Sequence, residues 1–268
     1  MGREKLCGHR RIVVKVGTTS LTHPNGRMDL KRMERLCWVL TDLKNRGKEV
    51  ILVSSGAISV GADRLGLSER PRDTVRKQAA SAVGQAALIK IYDNFFMTYN
   101  QKVAQILLTK DDVEDKVRRE NIHNTFSALL SMDIVPIVNE NDTVSTEELG
   151  IGDNDTLSAH VARLVDSDLL VILSDVDGMY ESDPRKVSGA KLISEVTEIT
   201  DGLERAAGGA GGSLGTGGMA TKISAAKMAA ERGIDTVIAC GDNPNILFDI
   251  MDGVEVGTLF LANKISSR

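Results

Sequence analysis

Six short apolar runs constrain this chain more than any other feature. They are RIVVKV (Arg11–Val16), EVILVS (Glu49–Ser54), VAQILL (Val103–Leu108), IVPIV (Ile134–Val138), DLLVIL (Asp168–Leu173) and TVIA (Thr236–Ala239), with GTLF (Gly257–Phe260) near the end. Each is too short for a helix and rich in β-branched residues, so each reads as a buried strand. Between them lie amphipathic stretches with helical spacing: Leu30–Asn45 stopped by Gly47, a helix following the turn Ser54-Ser55-Gly56-Ala57, one or two long helices over Asp73–Tyr99, then Asn121–Met132, Thr156–Val165, Met219–Arg232 and Pro244–Met251. Strands alternating with helices predict an α/β fold. Within Asp73–Tyr99 the small apolar face of Ala79, Ala82, Val83, Ala86 and Ala87 is expected to pack closely, in the core or between subunits. Asp111–Arg119 reads as a solvated loop or a helix start.

At 268 residues the chain is one large or two small domains. A formal charge of -4 provides no electrostatic footprint for nucleic acid, so an anionic substrate would need locally placed lysines. No apolar run approaches the ~18 residues of a membrane helix, and Met1–Arg11 lacks the apolar core of a signal peptide. Cys7, Cys37 and Cys240 are odd in number and widely spaced, without metal or disulfide spacing. These features point to a cytoplasmic protein.

Asn139–Asp155 (NENDTVSTEELGIGDND) holds six carboxylates and three asparagines without a Lys or Arg. It leaves the carboxyl end of a buried strand, where open α/β sheets place ligands. Its carboxylates repel one another, so a cation is expected among them: a substrate ammonium, a metal ion or lysines from elsewhere. Asp155 or Thr156 would cap the following helix. Lys15 stands inside a buried strand, an expensive position unless the charge is used or paired, and Gly17 and three hydroxyl residues follow at once. At Ser174-Asp175-Val176-Asp177-Gly178 another strand ends in a loop suited to a ribose or metal-phosphate contact. Gly208–Gly218 holds seven glycines in eleven positions and runs into a helix carrying Lys222 about one turn in, an arrangement able to wrap phosphates with backbone N–H groups. Gly215-x-Gly217-x-x-Ala220 matches the loose dinucleotide fingerprint, but no strand precedes it, so a nicotinamide reading fails on context. The histidines are scattered and no nucleophile–base pair is visible. Lysines, glycine turns and strand-end carboxylates suit phosphoryl transfer, which demands positioning and charge stabilisation.

Six motifs, VVKVGTTSLT (Val13–Thr22), SSGAISVG (Ser54–Gly61), IVNENDTV (Ile137–Val144), GDNDTLSA (Gly152–Ala159), LSDVDGMY (Leu173–Tyr180) and GTGGMATK (Gly215–Lys222), resemble in order the amino acid kinase family, in its glutamate-phosphorylating branch. The resemblance runs from about residue 10 to about residue 261. It implies a three-layer α/β/α sandwich around a mainly parallel open sheet, with an amino-acid-binding lobe over about 10–165 and a nucleotide-binding lobe over about 166–262. The chain stops before the RNA-binding-like PUA domain many relatives carry, so a single kinase domain is expected.

The implied activity is transfer of the ATP γ-phosphoryl group to the side-chain carboxylate of L-glutamate, the first step of proline synthesis. By the same resemblance Lys15 and Lys222 flank the phosphoryl group and Asp155 orients them. Lys15, Ser55, Asp142 and Asn154 bind the substrate; Gly17, Ser174, Asp175 and the stretch Thr216, Gly217, Gly218, Met219, Ala220, Thr221 and Lys222 bind ATP. Magnesium rides on the ATP phosphates, with no protein metal site. Feedback by proline, a dimeric or tetrameric assembly and handoff of the product to a glutamyl phosphate reductase are family expectations. Competing readings are a sister kinase acting on carbamate, N-acetylglutamate, aspartate or a nucleoside monophosphate, and a non-catalytic amino-acid sensor.

Overall fold

The apolar runs become strands. In a computed structural model that describes residues 2–23, 26–67, 69–144, 154–182, 187, 189–200, 203 and 218–262, β1 (Arg11–Val16), β2 (Glu49–Ser54) and β3 (Val103–Leu108) coincide with their runs. β4 (Val135–Glu140), β5 (Leu169–Ser174), β7 (Asp235–Cys240) and β8 (Thr258–Phe260) differ from theirs only at the ends, and β6 (Glu195–Val196) is too short to leave a periodic signal. Together they form an eight-stranded sheet in the order β3-β4-β2-β1-β5-β7-β8-β6. Its first six strands are parallel; β8 runs antiparallel to β7, and β6 pairs parallel with β8.

The helices are α1 (Leu30–Asn45), α2 (Ala57–Arg64), α3 (Thr74–Thr98), α4 (Lys110–Glu114), α5 (Lys116–Ser131), α6 (Asn154–Leu164), α7 (Gly218–Ala230) and α8 (Ile246–Met251). Strand alternation assigns the two core faces. Ile12, Val14, Val16, Val50 and Leu52 point to a layer built from α1, α3 and α8, whereas Val13, Ile51, Val53, Leu170 and Ile172 point to a layer built from α5, α6 and α7. The result is a three-layer α/β/α sandwich. β1 is central: the chain passes from it to β2 on one side, and only after α6 does it return to β5 on the other. The β1/β5 boundary is therefore a topological switch point, where the loops leaving two adjacent strands diverge and open a crevice.

The structure decides between alternatives at three places. Asp73–Tyr99 is one helix, α3, whose start is fixed by the Asp73 carboxylate accepting from the Arg76 amide at 2.9 Å. Of the two readings of Asp111–Arg119, a solvated loop or a helix start, the structure takes the second. Thr109 and Asp112 form a capping box that starts α4, and Asp115 accepts from the Arg118 amide at 2.8 Å to start α5. Charged residues that look loop-like by hydropathy are here first-turn and capping residues. Thirdly, of the Ala79, Ala82, Val83, Ala86, Ala87 face of α3 only Ala87 packs against the core. Ala79, Ala82, Val83 and Ala86 are exposed, and the buried seam is Ala80, Ser81, Gly84, Gln85 and Leu88.

The cause is a glycine crossing. A Cβ on Gly61 of α2 would lie 1.7 Å from the Ala80 carbonyl oxygen, and one on Gly84 of α3 would lie 1.8 Å from the Ala57 carbonyl oxygen. The two backbones touch where neither residue has a side chain, so α3 turns its glycine, not its alanines, to its neighbour. Gly61→Ala or Gly84→Ala is expected to force the helices apart and to cost about 3 kcal/mol of stability, read as a lowered urea midpoint at unchanged m-value. A midpoint equal to wild type would refute the crossing.

Candidate active site

Lys15 lies at the carboxyl end of β1, paired in register with Val53 of β2 and Ile172 of β5. Alternation along the strand places it on the α6/α7 face with Val13. There it meets Asp155, the second residue of α6. Lys15 Nζ stands 2.6 Å from Asp155 Oδ1, and Lys222 Nζ, from the first turns of α7, stands 3.0 Å from Asp155 Oδ2. Exposures of 4%, 0% and 8% for Lys15, Asp155 and Lys222 put this cluster inside the protein. Thr221 Oγ1 lies 3.0 Å from both Asp155 Oδ2 and the Gly218 carbonyl oxygen, to which Lys222 Nζ also donates at 3.0 Å.

Burial alone would push the Asp155 carboxyl up. The ammonium groups of Lys15 and Lys222, with their hydrogen bonds, outweigh it and hold the carboxyl below its usual range. One carboxylate against two ammoniums leaves a net positive charge, and it sits where the first turns of α6 and α7 meet. Helix N-termini carry unpaired N–H groups and partial positive charge, so lysines and helices together favour an anion. Gly17 borders this spot. Its conformation is open to other residues, but a Cβ would project to within 3.7 Å of Lys15 Nζ and 3.9 Å of the Leu173 carbonyl oxygen, occupying space beside the ammonium.

A second polar group adjoins the first through the peptide linking Asn154 to Asp155. Asn154 Nδ2 lies 3.0 Å from the Ser54 carbonyl oxygen, 2.8 Å from Ser55 Oγ and 3.0 Å from Asn139 Oδ1. It thus ties the start of α6 to the ends of β2 and β4. The Ser55 amide donates to the Val16 carbonyl at 3.1 Å, holding the ends of β1 and β2 together. Gly56 then opens α2 at φ 101°, a backbone state suited to glycine. Asp142, just past β4, is half-buried and accepts from Ser81 Oγ at 2.7 Å. Burial pushes its carboxyl up, and the Ser81 hydrogen bond and the Arg70 charge offset this only in part.

Ser174 ends β5 across the switch point and donates to the exposed Asp175 carboxylate at 3.0 Å. Gly218, Met219, Ala220, Thr221 and Lys222 form the first turns of α7. Thr216 and Gly217 lie outside the described residues, as do Glu147, Glu148 and Asp153 of the acidic stretch. Among the described residues no group of three or more His, Cys, Asp or Glu side chains is placed to hold a metal ion, and no helix is long and apolar enough to cross a membrane.

The structure thus brings Lys15, Lys222 and Asp155 into direct contact, and Asn154 and Ser55 into contact beside them. The cations anticipated for the acidic stretch are, at Asp155, lysines from elsewhere in the chain. Asp155 is not a helix cap: α6 begins one residue earlier, at Asn154. Sequence reasoning passed over Ser81, Gln85 and Tyr92 of α3. Their signal was available, as polar groups on the helical repeat that also carries Gly84 and Leu88, but apolar periodicity favoured the alanine face.

Comparison with known proteins shows the family and the fold. The profile of the amino acid kinase family matches residues 10–240. A protein of Clostridium perfringens (strain 13 / Type A) named glutamate 5-kinase is 53% identical over 266 residues, covering 98% of this chain and 99% of its own. A glutamate 5-kinase of Carboxydothermus hydrogenoformans is 54% identical over 263 residues, covering 98% of this chain and 70% of its own. Among solved structures, a carbamate kinase from Giardia lamblia bound to AMP-PNP superposes with a TM-score of 0.67 at 14% identity, over 96% of this chain and all of that one, a likeness of fold alone.

The charge balance at Asp155 makes a pH prediction. Its carboxyl ionises more readily in the folded protein than in the unfolded chain. Its stabilisation is therefore complete above the unfolded value of ~3.9 and is lost as pH falls through the lower folded value. Asp155→Asn is expected to lower unfolding free energy at neutral pH, and its deficit relative to wild type should shrink below pH ~4. Urea titrations across that range check this; a deficit independent of pH would remove the assigned charge pairing.

Proposed function

The chain belongs to the amino acid kinase family, and we propose that it transfers the γ-phosphoryl group of ATP to the side-chain carboxylate of L-glutamate, giving glutamyl 5-phosphate and ADP. The observation that carries the chemistry is the buried Lys15–Asp155–Lys222 cluster. The acceptor follows from the names of relatives at 53% and 54% identity.

A glutamate side chain has a pKa of ~4.3 and is ionised at neutral pH, so no general base is needed. The obstacle is the approach of one anion to another. Lys15 and Lys222, held apart and aimed by Asp155, lie on either side of the transferring group and offset its charge. A carboxylate oxygen bonds to the γ-phosphorus as the bond to the β-bridging oxygen breaks, and the electron pair leaves with ADP. Asp142 receives the free α-ammonium, and Ser55, whose Oγ accepts from Asn154 Nδ2 and keeps its own hydrogen, offers that hydrogen to a carboxylate while Asn154 borders the substrate and aims it. N-acetylation would leave Asp142 without its partner, which disfavours that acceptor.

Residues of about 10–165 form the acceptor lobe and about 166–262 the nucleotide lobe; Ser174, Asp175 and the stretch Thr216–Lys222 of the second lobe, with Gly17 from the first, receive ATP. Both Asp155 oxygens are engaged by lysines, so magnesium is carried by the ATP phosphates, where it neutralises phosphate charge. The acyl phosphate is hydrolytically labile, which favours prompt use by a glutamyl phosphate reductase. Cytoplasmic location, homo-oligomerisation and inhibition by proline complete the proposal.

The test is ADP release from Mg²⁺-ATP with L-glutamate, N-acetyl-L-glutamate, L-aspartate, carbamate or UMP as acceptor. Turnover with L-glutamate alone is expected; turnover only with another acceptor would overturn the substrate assignment. Lys15→Met and Lys222→Met should each reduce kcat by about 10³-fold, and wild-type-like turnover in either would refute the lysine roles.

A further inference from the structure

The buried seam of the long helix α3 is polar where it passes the acceptor end of the sheet. Ser81 and Gln85, 0% and 7% exposed, and Tyr92, fully buried, lie on one face at helical spacing. Each reaches a different part of the acceptor site. Ser81 Oγ donates to Asp142 Oδ2 at 2.7 Å. Gln85 Nε2 donates to the Glu140 carbonyl at 3.1 Å, fixing the last residue of β4 just ahead of Asp142. Tyr92 OH lies 2.9 Å from Ser54 Oγ at the end of β2, and the Ser54 carbonyl is one of the three acceptors around Asn154 Nδ2.

Fold stability alone does not require such a seam. Apolar residues of similar shape would bury as well without hydroxyls and an amide that must be satisfied. The polar contacts go, one each, to Asp142, to the strand end that carries it and to the serine next to Ser55. Two loops from different strands, β2 and β4, are thereby referenced to one rigid helix, whose own place is fixed by the Gly61–Gly84 crossing. Hydrogen bonds from buried neighbours hold a binding constellation to the sub-ångström tolerance it needs.

We infer that α3 is the alignment element of the acceptor site, with Ser81, Gln85 and Tyr92 as positioning residues that set affinity for the amino acid while leaving the nucleotide and the phosphoryl-transfer step untouched. The inference rests on the acceptor assignment proposed above. Ser81 has the largest part, because it orients the carboxylate that receives the substrate ammonium and helps keep it ionised.

The experiment is steady-state kinetics of Ser81→Ala, Tyr92→Phe, Asp142→Asn and the double variant Ser81→Ala/Asp142→Asn, with thermal unfolding of each. Tyr92→Phe keeps the ring and removes only the hydroxyl. Ser81→Ala is expected to raise KM for L-glutamate by about tenfold and Tyr92→Phe by about threefold, with KM for ATP and kcat within about twofold of wild type. In the cycle, Ser81→Ala should have little further effect once Asp142 is Asn, because Ser81 acts through that carboxylate. Unchanged KM for glutamate, additive effects in the cycle, or equal rises in both KM values with a lowered Tm would overturn the inference. Wild-type protein that released no ADP with L-glutamate would overturn the functional reading, and this inference with it; active wild type with unaffected variants would overturn the alignment role alone.

Discussion

A single carboxylate organises this molecule. Asp155 is completely buried, an arrangement that costs several kcal/mol unless the charge is compensated. Compensation comes from two directions: Lys15 from the central strand and Lys222 from a helix far along the chain. The requirement to meet at Asp155 ties β1, α6 and α7 to one another at the switch point of the sheet. Removing Asp155 strands two ammonium groups in the interior, whereas removing either lysine leaves the carboxylate its other partner, so the carboxylate both serves the chemistry and holds the cleft together. A lysine near the carboxyl end of a buried strand is tolerable here because α6 begins with its partner, Asp155.

The same economy governs the surroundings. Successive strands need loops that diverge at the β1/β5 boundary, and divergence exposes backbone N–H groups and strand-end side chains to one space. Ser55, Asn139 and Asn154 satisfy one another there. Ser174, on the other side of β1, turns toward solvent through Asp175. Several polar residues that would be costly in a closed core are gathered where the sheet opens.

Much of this was legible in the sequence for physical reasons. Buried strands in such a sheet are apolar on both faces, so their runs stand out, and β1, β2 and β3 were located to the residue. Lys15 drew notice because its charge broke such a run. What escaped notice depends on tertiary context. The orientation of α3 is set by the absence of side chains at Gly61 and Gly84, and hydropathy assigns no direction to a missing Cβ. Ser81 and Gln85 are buried because partners await them on β4 and its loop, which apolar periodicity cannot register. The charged segment before α5 left loop and helix start undecided because its acidic residues serve as caps, satisfying amides that hydropathy does not see.

Asn154 and Asp155 are consecutive residues, yet they face different tasks: the amide locks onto β2 and β4, while the carboxylate holds the lysines. An α-helix advances 1.5 Å per residue, so sliding α6 by even one step would unseat both sets of contacts together. The helix therefore acts as a vernier between the two halves of the cleft. A displacement of Asn154 would be carried through one peptide unit to Asp155 and so to the spacing of the ammonium pair.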